Sequence, residues 1–307
     1  MVLIILFKTM ASVYTQQSKN VRKTWFLVVL FAGLISLIFY IFGAVYNQPA
    51  LAFVGLAISL SQALIGYYAG GSMAIASAGG EEVTEAQAPQ IHIMVENLSR
   101  IAGIPKPKIF ISPDPSANAF ACGRDPKNAN ICFNQGILNI LDKNELEAVT
   151  AHEISHIKNR DILLQTMVMV MAGIISFVAD QGLRMTLWGG GNNNSDSDDS
   201  NKSPIWAIVY IAVIVLAPIV STLITFAVSR QREYLADATA VTLTRYPNAL
   251  ISALQKLYNN PIASEHISSA TSHFYIAPPK AQFGQQISGL FSTHPKIEDR
   301  VKALKEM

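Results

Sequence analysis

The chain has 307 residues, enough for one large domain or two ordinary ones. Half of them are hydrophobic and only 14% are charged, well below the ~25% of a typical soluble domain, so the composition points to a membrane. A net charge of +2 supplies no bulk basic field for nucleic acid, and the two cysteines, Cys122 and Cys132, lack the number and spacing of a disulfide framework and fit a reducing compartment.

The opening "MVLIILFKTM" is too short to span a bilayer and lacks the basic leader of a signal peptide; Met10 offers an alternative start. Residues 25–45, "WFLVVLFAGLISLIFYIFGAV", carry no charge and predict a transmembrane helix. The link "YNQPA" is long enough only to turn back, so residues 51–68 predict a return span, with Ser59, Ser61 and Gln62 inside it.

Residues 79–161 read as lying outside the membrane. In "QIHIMVENLSRIAGI" the apolar residues Ile91, Met94, Leu98 and Ile101 recur at helical spacing, and His92 beside them reads as an ordinary packing histidine. "KPKIFISPD" predicts a short strand and "NANICFNQGIL" a second one over 129–133. Asp142 followed by Glu145 is a helix-capping arrangement, and the sequence stays helix-compatible to Asn159. That helix contains "AHEISHIKNRD". His152 and His156, four apart, share one side of a helix, so two imidazole nitrogens can reach one metal ion at about 2.0–2.1 Å. Glu153 stands beside them, where a carboxylate can take a proton from an attacking water, which is why H-E-x-x-H carries chemistry as a unit. A polar helix face with no metal fits the same letters.

Residues 162–178 form a third candidate span, short and carrying Gln165, and read equally as a buried core helix. The segment 184–204 is a polar loop whose aspartates match no calcium-binding spacing. Residues 205–228 are a fourth span. Lys19, Arg22 and Lys23 precede the first span, Lys158 and Arg160 the third, and Arg230 and Arg232 follow the fourth; the two hairpin loops are nearly free of basic residues. The distribution places both termini and residues 69–161 in the cytoplasm.

A catalytic metal wants a third protein ligand and an open position. Downstream candidates are His266, His273, His294, Glu233 and Asp237. The last two, in "SRQREYLADATA", are four apart on one helical face. One could bind the metal while the other holds a ligand histidine by its second nitrogen; they also read as a solvated acidic face paired with Arg230 and Arg232.

"VTAHEISHIKNRD", a membrane hairpin and "SRQREYLADATA", preceded by "PDPSANAFACGRDP" and followed by "GLFSTHPKIEDRVKAL", resemble in order and spacing the HtpX-type membrane zinc metallopeptidases, relatives of the CAAX prenyl endopeptidases, over nearly the whole chain. The resemblance implies a mainly α membrane protein: four transmembrane helices and a cytoplasmic gluzincin-like α+β zinc peptidase domain. Its parts are a cytoplasmic N-terminal segment (1–24), a two-span hairpin (25–68), a catalytic part with the H-E-x-x-H helix (69–161), a second hairpin (162–228) and a catalytic part with the third ligand (229–307). It implies one Zn2+ per chain held by His152, His156 and Glu233, with Glu153 as general base and Asp237 as the acidic partner of a ligand histidine. It places Asn118 beside the cleft, and Ala129, Asn130 and Ile131 in an edge strand that receives extended substrate. His294 becomes an oxyanion stabiliser or a cap for the last helix, and Cys122 a thiol near the cleft. The implied activity is endoproteolysis of misfolded or damaged membrane proteins on the cytoplasmic side of a bacterial inner membrane, as stress-linked quality control without nucleic acid. A CAAX-type processing protease calls for more spans than the chain offers. A non-catalytic adaptor with a structural zinc site is hard to square with an intact base, and a transporter with spans that lack interior charges.

Overall fold

The computed structural model describes residues 2–45, 47–173, 230–260 and 295–307. Two long helices come first, α1 (Val2–Val45) and α2 (Leu51–Ser77). They run antiparallel: Trp25 meets Tyr67 at one end, and Phe39 lies against Gly55 nearer the turn. The stretches Gln17–Ile41 and Leu51–Ser77, of 25 and 27 residues, are long and apolar enough to cross a bilayer. Their outer faces expose Phe26, Val29, Phe53 and Leu64, a surface suited to lipid. Residues 2–24, in the expected N-terminal segment, are helical and form the first half of α1, because nothing in them, neither proline nor glycine, interrupts a helix.

The described part of the third candidate span is α6 (Asp161–Gly173), buried almost throughout against α1 and α2. Leu164, Met167 and Met171 interlock with Leu27, Phe31 and Ile35 of α1. On the α2 side small residues let the backbones approach: a Cβ on Gly70 would lie 2.7 Å from Thr166 Cγ2. The remainder of that span, the polar loop 184–204 and the fourth span 205–228 lie outside the described residues.

Four strands form one sheet in the order β1-β2-β4-β3: β1 (Glu81–Glu82), β2 (Lys108–Ser112), β3 (Ala119–Gly123) and β4 (Ala129–Asn134). β2 and β4 are parallel; β1 pairs β2 and β3 pairs β4 antiparallel. The expected strand at 129–133 is therefore present, but it is interior rather than an edge. Asn130 and Ile131 pair with β2 on one side and β3 on the other, and Ala129 pairs with β3, so β4 is not a free edge for an added strand. The β3–β4 turn depends on Gly123, whose φ of +134° no side chain tolerates well and whose Cβ would fall 2.2 Å from Asn128 O. The Asp125 carboxylate then accepts from the Lys127 and Asn128 N–H groups.

Helix α3 (Pro89–Ala102) buries Met94, Val95, Leu98 and Ala102, whereas Ile101 faces outward. The expected apolar face is rotated by part of a turn, since two overlapping sets satisfy helical spacing and only packing chooses between them. His92 places Nε2 2.9 Å from Val83 O, a packing role as expected. After the short α4 (Gln135–Ile140) comes α5 (Lys143–Lys158), which opens with a full capping box: Asp142 accepts from the Asn144 and Glu145 N–H groups, and the Glu145 carboxylate accepts from the Asp142 N–H at 2.8 Å. Against α5 pack α7 (Arg230–Thr244) and α8 (Pro247–Asn259), and α9 (Ile297–Lys305) packs on those two. Val149, Ile154, Phe133, Leu254 and Leu304 lie in this core.

Glu145 also ties α5 to α8, accepting from Ser252 Oγ at 2.6 Å and Lys256 Nζ at 2.7 Å. Burial raises its carboxyl, but Lys256, Ser252 and the Asp142 N–H outweigh burial and hold it below the usual carboxylate range. An unfolded glutamate titrates near ~4.3. A depressed native value stabilises the fold above that pH and loses its contribution as pH falls through the native value. Glu145→Gln is expected to lower the thermal midpoint at neutral pH, with the two melting curves converging in acid. A constant gap at every pH would contradict this.

Candidate active site

Helix α5 brings His152 and His156 one turn apart, with both Nε2 atoms turned to a common point and 3.2 Å between them. Donor atoms on one tetrahedral ion with ~2.05 Å bonds stand about 3.3 Å apart, so the pair is already spaced for shared ligation. Helix α7 crosses α5 and delivers Glu233, whose two carboxylate oxygens lie 3.7 Å from His152 Nε2 and 3.7 Å from His156 Nε2. All three ligand atoms fall within 4.8 Å of one another, the arrangement a metal ion needs.

Each imidazole is held from behind by a different carboxylate. Asp237, one turn beyond Glu233, sets Oδ1 3.0 Å from His152 Nδ1, close enough to pair though off line for a well-aligned hydrogen bond. Asp161, the first residue of α6, sets Oδ2 3.1 Å from His156 Nδ1. Arg300, from α9 near the C terminus, donates to Asp237 through Nε at 2.8 Å and Nη2 at 2.6 Å, and its Nη1 stands 3.9 Å from Glu233. The Glu153 carboxylate lies near β3, where the Ala121 N–H favours its charged form.

None of these residues is more than 4% exposed, so their charges must be met inside the protein. Among the described residues, four buried carboxylates (Glu153, Asp161, Glu233, Asp237) face two buried guanidiniums (Arg232, Arg300). With neutral imidazoles two negative charges remain, which one divalent cation balances. Proton affinities move in the same sense. Burial pushes the Glu153 carboxyl up to about 7, with His156 opposing and Glu233 reinforcing. Burial lowers His156, but Asp161 and Glu233 outweigh it and raise the imidazole to about 9. His152 is lowered by burial against the pull of Asp237. Asp237 is raised by burial, but Arg300 outweighs that and brings it below the usual range. The site draws positive charge towards His156 and Glu233, and a buried set of two imidazoles and one carboxylate fits zinc.

Of the residues expected from the sequence, His152, Glu153, His156, Glu233 and Asp237 are gathered here. Asn118 is buried at the entry to β3, its carbonyl accepting the Asn134 N–H at 2.9 Å. Ala129, Asn130 and Ile131 are on the interior strand, and His294 lies outside the described residues. Cys122, the thiol expected near the cleft, is fully buried in β3, and burial pushes it far above the ordinary range, which keeps it in the unreactive thiol form. Sequence reasoning missed Asp161 and Arg300. Asp161 follows the helix end at a spacing no helical rule links to His156, and Arg300 is some sixty residues from its partners.

The profile of peptidase family M48 matches residues 85–307. A "Protease HtpX homolog" of Caldanaerobacter subterraneus subsp. tengcongensis is 40% identical over 301 residues, covering 97% of this chain and 99% of that protein. One of Lactobacillus helveticus is 41% identical over 300 residues, covering 96% of this chain and 99% of that protein. The crystal structure of S. mikatae Ste24p superposes with a TM-score of 0.49 at 19% identity, covering 95% of this chain and 67% of that one.

Removing one member of a buried ion network leaves its partners charged and unmatched, which costs about 3–5 kcal/mol. Arg300→Met is expected to lower the thermal midpoint of the chelator-treated protein by a matching amount. A midpoint equal to wild type would show that Arg300 does not carry the charge of Asp237 and Glu233.

Proposed function

Because the chain belongs to peptidase family M48 and is a membrane metalloprotease of the HtpX type, we propose that it is a zinc endopeptidase cleaving misfolded or damaged membrane proteins at the cytoplasmic face of a bacterial inner membrane. The observation that carries this reading is the convergence of His152, His156 and Glu233 on one buried point with the Glu153 carboxylate beside it. One zinc ion per chain would be held by those three side chains. Zinc supplies a Lewis acid that polarises a peptide carbonyl and brings a water's pKa to about 7.

The protein's own groups do the rest. Glu153 takes the proton of the attacking water and hands it to the leaving amine. A carboxyl whose proton affinity is raised by burial suits both halves of that transfer. Asp237 and Asp161 hold the Nδ1 sides of His152 and His156, which keeps both Nε2 atoms aimed at the shared point. Arg300 fixes Asp237 in turn. The strand beside the base is β3, which packs on α5 and whose Ala121 N–H favours the charged form of Glu153. An extended substrate segment therefore approaches alongside β3, in place of the β4 strand expected from the sequence.

The setting favours substrates at a membrane surface. Asp161 touches His156 and begins α6, which is buried against the two helices able to cross a bilayer. The reading includes a gluzincin-like domain, four spans (the fourth at 205–228), both termini in the cytoplasm, and a part in the stress response through proteolytic quality control. Polypeptides and the bilayer are its partners.

The test is zinc content and casein cleavage of wild type and Glu153→Gln in detergent, with zinc restored after chelation. Near one zinc per chain in both, with cleavage at least ~100-fold slower in the variant, is the expected result. Wild-type cleavage by the variant would remove Glu153 as base, and a folded wild type that takes no zinc would remove the metal reading altogether.

A further inference from the structure

The family match starts at residue 85, yet the contacts that support His156 reach back to residue 20. Asn20 lies on α1 ahead of the apolar run and is buried. Its Nδ2 donates to Asp161 Oδ1 at 2.5 Å and to Asn159 O at 3.1 Å. The other Asp161 oxygen is the one that holds His156 Nδ1 at 3.1 Å. One turn earlier on α1, Gln17 Nε2 donates to Lys158 O at 2.7 Å.

Those two carbonyls belong to the end of α5, where a helix leaves its last acceptors without partners. The chain then turns sharply into α6 through Arg160, held at a φ of +58°, so Asp161 opens α6 directly after a short, bent connection. Its carboxylate needs fixing from outside, and α1 provides that. An amide suits the position chemically. It offers two N–H donors, one for each acceptor here, and adds no charge to a cluster whose carboxylates already outnumber its guanidiniums. Arg232 Nε, 3.9 Å from Asp161 Oδ1, is too distant for a hydrogen bond.

We propose that Asn20 is a positioning residue for the metal site: it holds Asp161, and through Asp161 it sets the ring orientation of His156. The first membrane helix then acts as a structural part of the metal centre as well as an anchor. The inference rests on the zinc reading above.

The rival account is that Asn20 merely caps α5, and Gln17 separates the two, because it caps α5 without touching Asp161. Wild type, Asn20→Leu, Asn20→Asp and Gln17→Leu would be prepared as full-length chains in detergent. Zinc affinity would be measured by competition with a chelator, and ligand geometry by the visible spectrum of the cobalt(II)-loaded proteins. Loss of an outer hydrogen-bond partner typically weakens metal binding by about 10–100-fold. Asn20→Leu is expected to bind zinc about 10-fold more weakly with an altered cobalt spectrum. Asn20→Asp, of the same size but setting a carboxylate against Asp161, is expected to be weaker still. Gln17→Leu should match wild type in both readouts, although chelator-treated Gln17→Leu and Asn20→Leu melt at similarly lowered temperatures. Wild-type zinc affinity and cobalt spectrum in both Asn20 variants, or equal weakening in Gln17→Leu and Asn20→Leu, overturns the proposal. A folded wild type that binds no zinc overturns the zinc reading first and this inference with it.

Discussion

The structure depends on burying charge around a single point. His152, His156, Glu233, Glu153, Asp161 and Asp237 are all withdrawn from water, and isolated ions in such an environment carry penalties of several kcal/mol each. The arrangement holds because every group has an opposite number. Arg300 grips Asp237 with two hydrogen bonds, each imidazole backs onto a carboxylate, and the residual negative charge matches a divalent cation. The elements around α5 serve this requirement. Helix α7 brings two acids, α9 brings the guanidinium, α6 begins with the second histidine's partner, and β3 packs against the helix that carries Glu153.

The same requirement links the site to the membrane-facing helices. Only two residues separate the end of α5 from the start of α6, so the helix bearing the histidines runs almost directly into one packed between α1 and α2. That packing is tight because Gly66 and Gly70 of α2 let Met167 and Thr166 come close. Thr166 in turn accepts the Gly123 N–H at 3.1 Å, tying the end of β3 to α6. The sheet, the helix bearing the two histidines and the apolar helices therefore form one connected body around the site.

The sheet shows how far local pattern reaches. The strands at 108–112 and 129–134 were readable from their β-branched and aromatic residues, but β3, "AFACG", was not. It is short, rich in small residues and buried on both faces, so it shows no alternation. Without β3 the order of strands could not be known, and the strand that looked like an edge turned out to be interior. The face of α3 was misjudged for a related reason. A set containing Ile101 and one containing Val95 fit the same helical period, and contact with the core buries the second.

The sequence by itself determined the chemistry. The i, i+4 histidines with their glutamate, the capping box that starts their helix, the i, i+4 acids on a second helix, and the two long apolar runs of the first hairpin are properties of local spacing, and helix geometry converts spacing directly into position. Tertiary structure alone decided what holds those groups in place. Asp161 reaches His156 only because the chain bends at Arg160. Arg300 reaches Asp237, 63 positions away, only because α9 packs against α7, and Asn20 reaches Asp161 across 141 positions because α1 lies along the end of α5. Buried charges recruit partners by distance in space, and no periodicity in a sequence records that distance.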